Sequence, residues 1–267
     1  MSKVCLNGEL IAAADARIDP SDRGFLLGDG LFETMAVKGG VVRRLDRHLA
    51  RLHEGVAILG IPIEYDDEQL SRLIADTAAA NDLSDASVRL TLTRGPGPRG
   101  VMTPKDATPT LMITAVPLAV LDGPVKLVIA SGTRRNEQSP LSRVKSLNYL
   151  DNILARREAA ARDADDAILL NTQGRVAETS IANIFALIDG GLVTPPITDG
   201  ALPGVARADV IALARAEEKT LSPLDLKRAS EVFVTNALGL RAVVAIDNQP
   251  VGDGETGLIT QMLAARI

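Results

Sequence analysis

Residues 31–42 read Leu-Phe-Glu-Thr-Met-Ala-Val-Lys-Gly-Gly-Val-Val, and this stretch is typical of a β-hairpin. A long extended run leads into a glycine pair, and a short apolar run follows it, as in two antiparallel strands joined by a tight turn. On the first strand Phe32, Thr34 and Ala36 alternate with their neighbours, so their side chains share one face. The hairpin predicts that a sheet begins here.

Strand and helix patterns alternate along the rest of the chain. Residues 4–6 form a short extended run before a turn. After the hairpin, apolar residues at three- and four-residue spacing predict helices that begin near Asp46 and Asp67. Further on, strands are predicted over 87–93, 110–116, 126–130, 166–171, 181–188 and 231–235, and helices over 149–162, 205–218 and 257–265.

The sequence predicts two domains. Residues 117–124 contain two prolines and an Asp-Gly pair without clear periodicity, which favours a linker. A smaller N-terminal α/β domain is then expected over 1–116 and a larger C-terminal domain over 125–267. Strands and helices are mixed in both halves, so the predicted fold class is α/β (α+β), with a cleft between the domains.

Composition excludes several classes of protein. Hydrophobic residues make up 46% of the 267 residues, which is too much apolar surface for a disordered chain. Six aromatic residues and a net charge of −5 disfavour binding to nucleic acid. The single cysteine, Cys5, excludes a disulfide framework. No export signal or membrane-length apolar run is visible, so we expect a cytoplasmic protein that does not bind membranes.

Two sequence patterns resemble functional motifs, but each lacks a feature that the function requires. Residues 95–100, Gly-Pro-Gly-Pro-Arg-Gly, match the dinucleotide fingerprint, but that fingerprint needs a helix to begin there, and none is predicted. We interpret this stretch as a rigid surface loop. His48 and His53 are five residues apart, which does not place both rings on one helix face, so we expect ordinary surface or partly buried residues and no metal site. A GxSxG elbow is absent, which disfavours a serine hydrolase.

Lys145 is the lysine with the most unusual surroundings. The other six lysines lie at the terminus, beside turns or in charged runs, where lysines are usually solvated. Lys145 lies among apolar and amide side chains in residues 141–152, and such surroundings lower the pKa of an amine, as a Schiff-base lysine requires. A solvated loop lysine is the alternative interpretation.

Lys145-Ser146-Leu147-Asn148 is followed 33 positions later by Glu178, within residues 177–185 (AETSIANIF). With further motifs over essentially the whole chain, this pattern resembles the class IV aminotransferase family. These fold-type IV pyridoxal phosphate enzymes include branched-chain aminotransferases, D-amino acid aminotransferases and 4-amino-4-deoxychorismate lyases. The further motifs are residues 22–25 (DRGF), 28–34 (GDGLFET), 47–52 (RHLARL), 202–207 (LPGVAR) and 235–238 (TNAL).

The resemblance implies pyridoxal 5'-phosphate as cofactor, bound largely by the C-terminal domain. It implies that Lys145 binds the cofactor covalently and moves protons at the substrate, while Glu178 pairs with the pyridine nitrogen. A salt bridge on a strand is the structural alternative for Glu178, and an exposed helix arginine is the alternative for Arg51. The family would hold the cofactor phosphate through Arg51, Gly204, Val205, Ala206, Thr235 and Asn236, and the phenolic oxygen through Tyr149. Ala206 replaces the usual Thr, so only its amide is available.

Substrate-facing positions distinguish the branches of the family. Phe32 stands where D-amino acid aminotransferases carry Tyr, and no His stands two places after Arg99. The glycine-rich stretch that follows the lysine in branched-chain enzymes is also missing. The remaining motifs most resemble 4-amino-4-deoxychorismate lyase, which forms 4-aminobenzoate and pyruvate on the folate route. The resemblance then implies Lys145 and Thr34 as catalytic residues, and Phe32, Ala36 and Arg99 as substrate-binding residues.

The lyase is therefore the leading hypothesis for the function. A transaminase of the D-amino acid or branched-chain type is the alternative, because the Lys-Ser-Leu-Asn motif also occurs in transaminases. A non-catalytic cofactor binder or another enzyme is the third. The expected partners are a small molecule with amino and carboxylate groups and a second copy of the chain, since relatives are homodimers. Five of the six aromatic residues lie in or beside the motifs, which predicts that they cluster at the cofactor.

Overall fold

The computed structural model describes residues 2–119, 121 and 123–267, which fold into two compact units. The first unit comprises Met1–Val120 and Val144–Asn148, and the second comprises Leu121–Arg143 and Tyr149–Ile267. Residues 144–148, predicted within 125–267, belong to the first unit, and the predicted linker 117–124 is divided between the two units. Of the predicted linker 117–124, residues 120 and 122 lie outside the described residues.

Six antiparallel strands form the sheet of the first unit: β1 (Lys3–Leu6), β2 (Glu9–Ala12), β3 (Gly30–Lys38), β4 (Val41–Val42), β5 (Ala86–Thr93) and β6 (Thr110–Pro117). Their order in the sheet is β2-β1-β6-β5-β3-β4. The predicted hairpin is confirmed, since β3 and β4 pair in antiparallel register. Strand β3 pairs with β5 from Gly30 to Val37, but with β4 only at Val37 and Lys38.

Three helices belong to this unit: α1 (Arg23–Leu27), α2 (Leu45–Leu59) and α3 (Asp67–Ala79). Asp66 caps α3, and α2 begins after Arg44, whose backbone is left-handed (φ 56°), rather than at a cap from Asp46. One face of the sheet shares an apolar core with α2 and α3 that includes Leu31 and Met35. Strand side chains alternate, so Phe32, Thr34 and Ala36 lie on the opposite face, which we call the outer face.

Residues 144–148 are held beside the start of β3 by backbone hydrogen bonds. The amide of Phe32 donates to the carbonyl of Lys145 at 2.9 Å, and the amide of Leu147 donates to the carbonyl of Gly30 at 3.0 Å. Val144, only 4% exposed, anchors the segment in the core of the first unit. The backbone of Lys145 is thus fixed against β3.

Two glycines make this close approach possible. A Cβ at Gly30 would lie 2.6 Å from the carbonyl oxygen of Leu92 and 2.8 Å from Cδ1 of Leu147. Gly28 has a φ of 68°, and a Cβ there would lie 2.8 Å from Oδ1 of Asn148. The 28–34 and 145–148 motifs, far apart in the sequence, are therefore two sides of one packed structure.

The second unit contains a mixed sheet. Its nine strands are β7 (Val125–Ile129), β8 (Asp166–Leu170), β9 (Val176–Thr179), β10 (Asn183–Ile188), β11 (Gly191–Thr194), β12 (Glu217–Glu218), β13 (Glu231–Asn236), β14 (Gly239–Ile246) and β15 (Gln249–Pro250). Their order is β12-β11-β10-β13-β14-β7-β8-β9, and β15 pairs with β14. Strand β7 runs parallel to both β14 and β8. The predicted α/β (α+β) class is confirmed.

The helices of the second unit are α4 (Leu150–Ala161), α5 (Val205–Ala214), α6 (Pro223–Arg228) and α7 (Leu258–Ala264), with short 3₁₀ helices at Pro140–Arg143 and Ile197–Asp199. Helix α5 ends before the predicted residue 218, because Arg215 is left-handed (φ 51°) and β12 follows. Within the described residues, no helix combines the length and apolar character needed to cross a membrane.

Two of the aromatic residues that were predicted to cluster at the cofactor lie in a buried apolar core. Phe185 and Phe233 are fully buried and stack with their ring centroids 5.0 Å apart, inside an apolar cluster of the second unit. Phe25 lies on α1 with 76% of its surface exposed. These two stacked rings support the fold, and the clustering prediction was wrong for them.

Candidate active site

Two cationic side chains contact the ring of Phe32 on the outer face. Nζ of Lys145 lies 4.3 Å from the ring centroid, and Cζ of Arg89 lies 3.7 Å from it. The ring is 6% exposed. Because the electron-rich face of an aromatic ring attracts cations, Phe32 holds both groups close to itself. We call Lys145, Phe32 and Arg89 the Phe32 cluster.

Arg89 is a site residue that the sequence did not reveal. The alternation of β5 places Val88 and Leu90 in the core and Arg89 on the outer face, directly opposite Thr34 of β3. Alternation alone shows that Arg89 faces away from the core, but only the pairing of β3 with β5 shows that it reaches Phe32. Its planar, permanently charged guanidinium suits a carboxylate.

Arg51, predicted to bind phosphate, lies in a buried cluster with Glu33 and His48, which we call the Glu33 cluster. Nε and Nη2 of Arg51 donate to the two carboxylate oxygens of Glu33 at 2.8 and 2.6 Å. Nδ1 of His48 lies 2.6 Å from Oε2 of Glu33. All three side chains are buried, so Arg51 is not an exposed helix arginine and His48 is not a surface residue.

His53 behaves as the sequence predicted for both histidines. Its side chain is 39% exposed and its Nε2 lies 2.6 Å from Oδ1 of Asp67. His48 is buried and His53 is exposed because His48 pairs with Glu33. Glu33 lies on the core face of β3, where its carboxylate needs hydrogen-bond donors that are themselves buried. The sequence shows that carboxylate but not where it points.

The charge on Glu33 keeps this cluster together. Burial by itself raises the pKa of the Glu33 carboxyl, but hydrogen bonds from His48 and Arg51 outweigh it, so the pKa lies below its ordinary value. Glu33 is therefore ionised at neutral pH. An ionised carboxylate with two bonds to one guanidinium fixes the orientation of Arg51.

Glu178, on β9 in the second unit, is also buried and oriented. Its Oε2 accepts a hydrogen bond from the amide of Leu202 at 3.0 Å, and its Oε1 lies 3.1 Å from Nε of Arg135. Arg135 is fixed in turn by the carbonyls of Gly200 and Ser142. The salt bridge considered from the sequence is present, and it holds the carboxylate in one orientation.

Leu202, whose amide donates to Glu178, lies in the segment directly before α5. Gly204 is the N-cap of α5, and the first amides of a helix, here those of Val205 and Ala206, lack partners within the helix. A Cβ at Gly204 would lie 2.0 Å from Oδ1 of Asn183, so the position requires glycine. Asn183 also donates from Nδ2 to the carbonyl of Leu202 at 2.9 Å. The start of α5 and Glu178 are thus brought together.

The other predicted residues of the second unit lie around the same strands. Thr235, on β13, is paired with Asn183 of β10, and its hydroxyl donates to the carbonyl of Gly239 at 3.0 Å. Asn236 accepts from the amide of Leu238 through Oδ1 at 2.9 Å. Tyr149 occupies the N-cap position of α4. Their roles toward a cofactor stay predictions.

The remaining predicted residues belong to the first unit. Thr34 is partly buried on the outer face, and Ala36, 2% exposed, lies opposite Ser87 on the same face. Arg99 is exposed on the loop between β5 and β6. The structure therefore brings together Lys145 and Phe32 in one unit, and Glu178, Gly204 and Thr235 in the other.

Replacing Glu33 by Gln tests the Glu33 cluster. The variant removes the charge that compensates buried Arg51, so we expect the free energy of unfolding at pH 7 to fall by about 3–5 kcal/mol. Because the pKa of Glu33 is lowered in the folded state, its stabilising contribution is present above the unfolded pKa of about 4.3 and is lost as the pH falls through the folded pKa. The free energies of unfolding of wild type and variant, measured with urea, should therefore become more alike as the pH falls below about 4.

Glu68→Gln is the matched control for this prediction. Glu68 pairs with Arg72 at 2.9 Å on the surface of α3, with 84% of the Glu68 side chain exposed. Its loss should change the free energy of unfolding by less than about 1 kcal/mol. Equal effects of the two substitutions at pH 7 would show that the Glu33 cluster does not stabilise the unit.

Comparison with known proteins places the chain among pyridoxal phosphate enzymes. The model of the family described as amino-transferase class IV matches residues 30–246. A Methanocaldococcus jannaschii protein provisionally named a branched-chain-amino-acid aminotransferase is 35% identical, over 98% of this chain and 93% of that protein. The D-alanine aminotransferase of Bacillus licheniformis is 29% identical, over 97% of this chain and 93% of that protein.

Solved structures agree with these relatives. The Escherichia coli branched-chain amino acid aminotransferase matches with a TM-score of 0.93 and 28% identity, over 98% of this chain and 92% of that one. A Legionella pneumophila protein provisionally named a 4-amino-4-deoxychorismate lyase matches with a TM-score of 0.85 and 31% identity, over 94% of both chains. The fold is common to both kinds of enzyme.

Proposed function

The chain belongs to the class IV aminotransferase family of pyridoxal 5'-phosphate enzymes, and from that premise we propose that it is an amino-acid transaminase. The proposed donor is an L-amino acid with a branched apolar side chain, and the acceptor is a 2-keto acid. The Phe32 cluster carries the proposal, because it sets the amine of Lys145 and the guanidinium of Arg89 around one ring. The names of the relatives favour a transaminase over the lyase that the motifs alone put first.

The residues present fit the cofactor of this family. The buried carboxylate of Glu178 would pair with the pyridine nitrogen, and the amides that begin α5 after Gly204 would bind phosphate. Arg51, fixed by Glu33, would add a permanent positive charge for the phosphate. When bound, the cofactor supplies an electron sink that stabilises negative charge on the substrate α-carbon.

In the proposed reaction the residues of the Phe32 cluster have distinct roles. Arg89 would bind the substrate carboxylate, because a guanidinium forms strong paired hydrogen bonds with carboxylate oxygens. The amine of Lys145 would take the proton from the α-carbon and return it to the other substrate in the second half of the reaction. Phe32 and Ala36 are apolar side chains on the same face as Lys145, and an aliphatic substrate side chain would suit such neighbours.

A lyase acting on 4-amino-4-deoxychorismate is the second candidate. The similarity to the Legionella pneumophila protein favours it, as do the motifs quoted above. That reaction also needs a lysine amine to move a proton and a cation to hold a carboxylate, so the Phe32 cluster serves either chemistry. The homodimeric state and cytoplasmic location inferred from the sequence stay predictions.

Three substrate mixtures distinguish the candidates. The purified enzyme, loaded with pyridoxal 5'-phosphate, is given L-leucine with 2-oxoglutarate, D-alanine with 2-oxoglutarate, or 4-amino-4-deoxychorismate alone. We expect glutamate to form fastest from the L-leucine mixture, measured by chromatography. Formation of 4-aminobenzoate without amino transfer would overturn the transaminase in favour of the lyase, and faster reaction with D-alanine would overturn the proposed donor.

Lys145→Ala should abolish the visible absorption band of the bound cofactor and reduce transfer to background, because no other amine replaces it. The measurement is an absorption spectrum of dialysed protein, followed by the transfer assay. Lys126→Ala is the control, since Lys126 is an exposed lysine at the start of β7. A Lys145→Ala protein that keeps the band and the activity would remove Lys145 from its proposed role.

Arg89→Gln should lower kcat/KM for both the amino acid and the keto acid. A hydrogen bond to a charged group contributes roughly 1.5–3 kcal/mol, so we expect a loss of roughly 10- to 100-fold. Steady-state kinetics with both substrates provides the measurement. Arg72→Gln, on the exposed surface of α3, is the matched control. Unchanged kcat/KM in Arg89→Gln would mean that another group binds the carboxylate.

A further inference from the structure

A groove lies on the second unit between α7, the end of α5 and the turn that joins β10 to β11. Its volume is about 250 Å³. The residues that line it are apolar except for Arg266, two residues beyond the end of α7. None of the residues predicted to bind cofactor or substrate lines the groove, so it is distinct from the candidate active site.

The floor of the groove belongs to the packed core of the second unit. Leu192 of β11 and Leu263 of α7, which are 9% and 6% exposed, lie in the apolar cluster that contains the stacked rings of Phe185 and Phe233. Core packing holds these two leucine side chains in place. The floor therefore does not have to be ordered when a ligand binds, which lowers the entropy cost of binding.

The walls of the groove leave apolar surface in contact with water. Leu213, near the end of α5, is 48% exposed, and Met262, on α7, is 62% exposed. Gly190, in the turn, also lines the groove, and a Cβ built there would meet no atom within 4 Å, so the turn leaves that end open. An apolar group in the groove would remove surface of Leu213 and Met262 from water, which is favourable.

Arg266 gives the groove a positive charge. Its backbone amide donates to the carbonyl of Leu263 at 2.9 Å, which fixes the main chain from which the side chain extends. Within residues 2–119, 121 and 123–267, its guanidinium makes no hydrogen bond or ion pair. A guanidinium is permanently charged and has a planar set of donors that matches a carboxylate. The groove therefore combines an apolar channel with a cation that suits an anionic ligand group.

The size of the groove favours a small molecule over a protein surface. Ligand pockets are concave, mostly apolar and about 300–1,000 Å³ in volume, and this groove lies just below that range. Stable protein interfaces use about 20–30 residues on each side. Nine residues line this groove. A short aliphatic molecule with one charged end is therefore the occupant that it suits.

We propose that this groove is a second binding site of the protein and that it takes a small aliphatic carboxylate. The hydrocarbon chain would lie between Leu213 and Met262, over the floor formed by Leu192 and Leu263, and the carboxylate would pair with Arg266. This inference does not rest on the proposed transaminase function, because it uses only residues of the groove. Hexanoate is a probe of this chemical class, and for so few atoms we expect a Kd on the order of 1 mM.

The methyl signals of methionine in an NMR spectrum test this site directly. The full-length enzyme, loaded with pyridoxal 5'-phosphate, is labelled with carbon-13 in the methyl groups of its five methionines, and Met262→Leu identifies the signal of Met262. Hexanoate is titrated at low salt to about 20 mM, well above the expected Kd. We expect the Met262 signal to shift until it saturates. Met112, which pairs with Thr91 on the outer face, reports binding at the candidate active site.

Two further probes separate the contribution of the charge from that of the chain. Hexylammonium has the same chain with the opposite charge, and acetate has the carboxylate without the chain. Each lacks one of the two proposed contacts, so we expect both to bind at Met262 at least about threefold more weakly than hexanoate.

Substitutions in the groove test the two contacts separately. Arg266→Gln should raise the Kd of hexanoate about two- to fivefold, the effect of losing one exposed ion pair. Arg228→Gln, at the exposed end of α6, is its matched control. Leu213→Asn should raise the Kd at least about threefold through the lost apolar contact. Leu224→Asn is the control for it, since Leu224 is a leucine of α6 with 54% of its surface exposed. Thermal unfolding confirms that each variant is folded.

Several outcomes would overturn the second site. If the Met262 signal stays in place throughout the hexanoate titration, or if only the Met112 signal shifts, the groove does not bind the probe. Equal affinities for hexanoate and hexylammonium, or for wild type and Arg266→Gln, would show that the groove does not select a carboxylate. The titration uses no amino donor. A wild-type enzyme that transfers no amino group would therefore overturn the proposed function and leave the result for the groove unchanged.

Discussion

Two backbone hydrogen bonds between the start of β3 and residues 145–147 fix where Lys145 lies in the first unit. They join Phe32 to Lys145 and Leu147 to Gly30. The main chain of Lys145 is therefore fixed whichever rotamer its side chain adopts. In the proposed function only the rotamers of the Lys145 side chain would remain to be ordered, which would reduce the entropy lost when its amine meets the substrate. The glycines at positions 28 and 30 are needed because larger residues would push this segment away.

The cations of the first unit are held in two different ways. The Phe32 ring attracts Lys145 and Arg89 without neutralising them, because an aromatic ring carries no net charge. Arg51 is instead fixed by the full charge of Glu33. A strand makes this separation simple, since Phe32 and Glu33 are neighbours whose side chains point to opposite faces. One strand thus carries two cationic side chains beside a ring on one face and a buried ion pair on the other.

Local sequence patterns predicted local structure well. They failed for residues whose surroundings depend on parts of the chain that are distant in the sequence. The 31–42 hairpin follows from alternation and a glycine pair, and it is present. Nothing near Lys145 indicates that its segment joins the first unit, because the partner is β3, more than a hundred residues earlier. Arg89 was not recognised and His48 was expected at or near the surface for the same reason: their surroundings depend on Phe32 and Glu33, which the fold brings to them. In α5 a single left-handed residue, Arg215, ended a helix that an apolar pattern would continue.

The first unit is interrupted in the sequence, since residues 121–143 of the second unit separate its main part from 144–148. During synthesis the ribosome therefore releases all six strands of its sheet before the segment that completes the edge of β3. A fragment ending at residue 120 would lack the lysine together with the backbone partners of Gly30 and Phe32. A single break in the sequence therefore cannot separate the chain into two complete units. Expressing either unit alone would require joining its separate segments or permuting the chain.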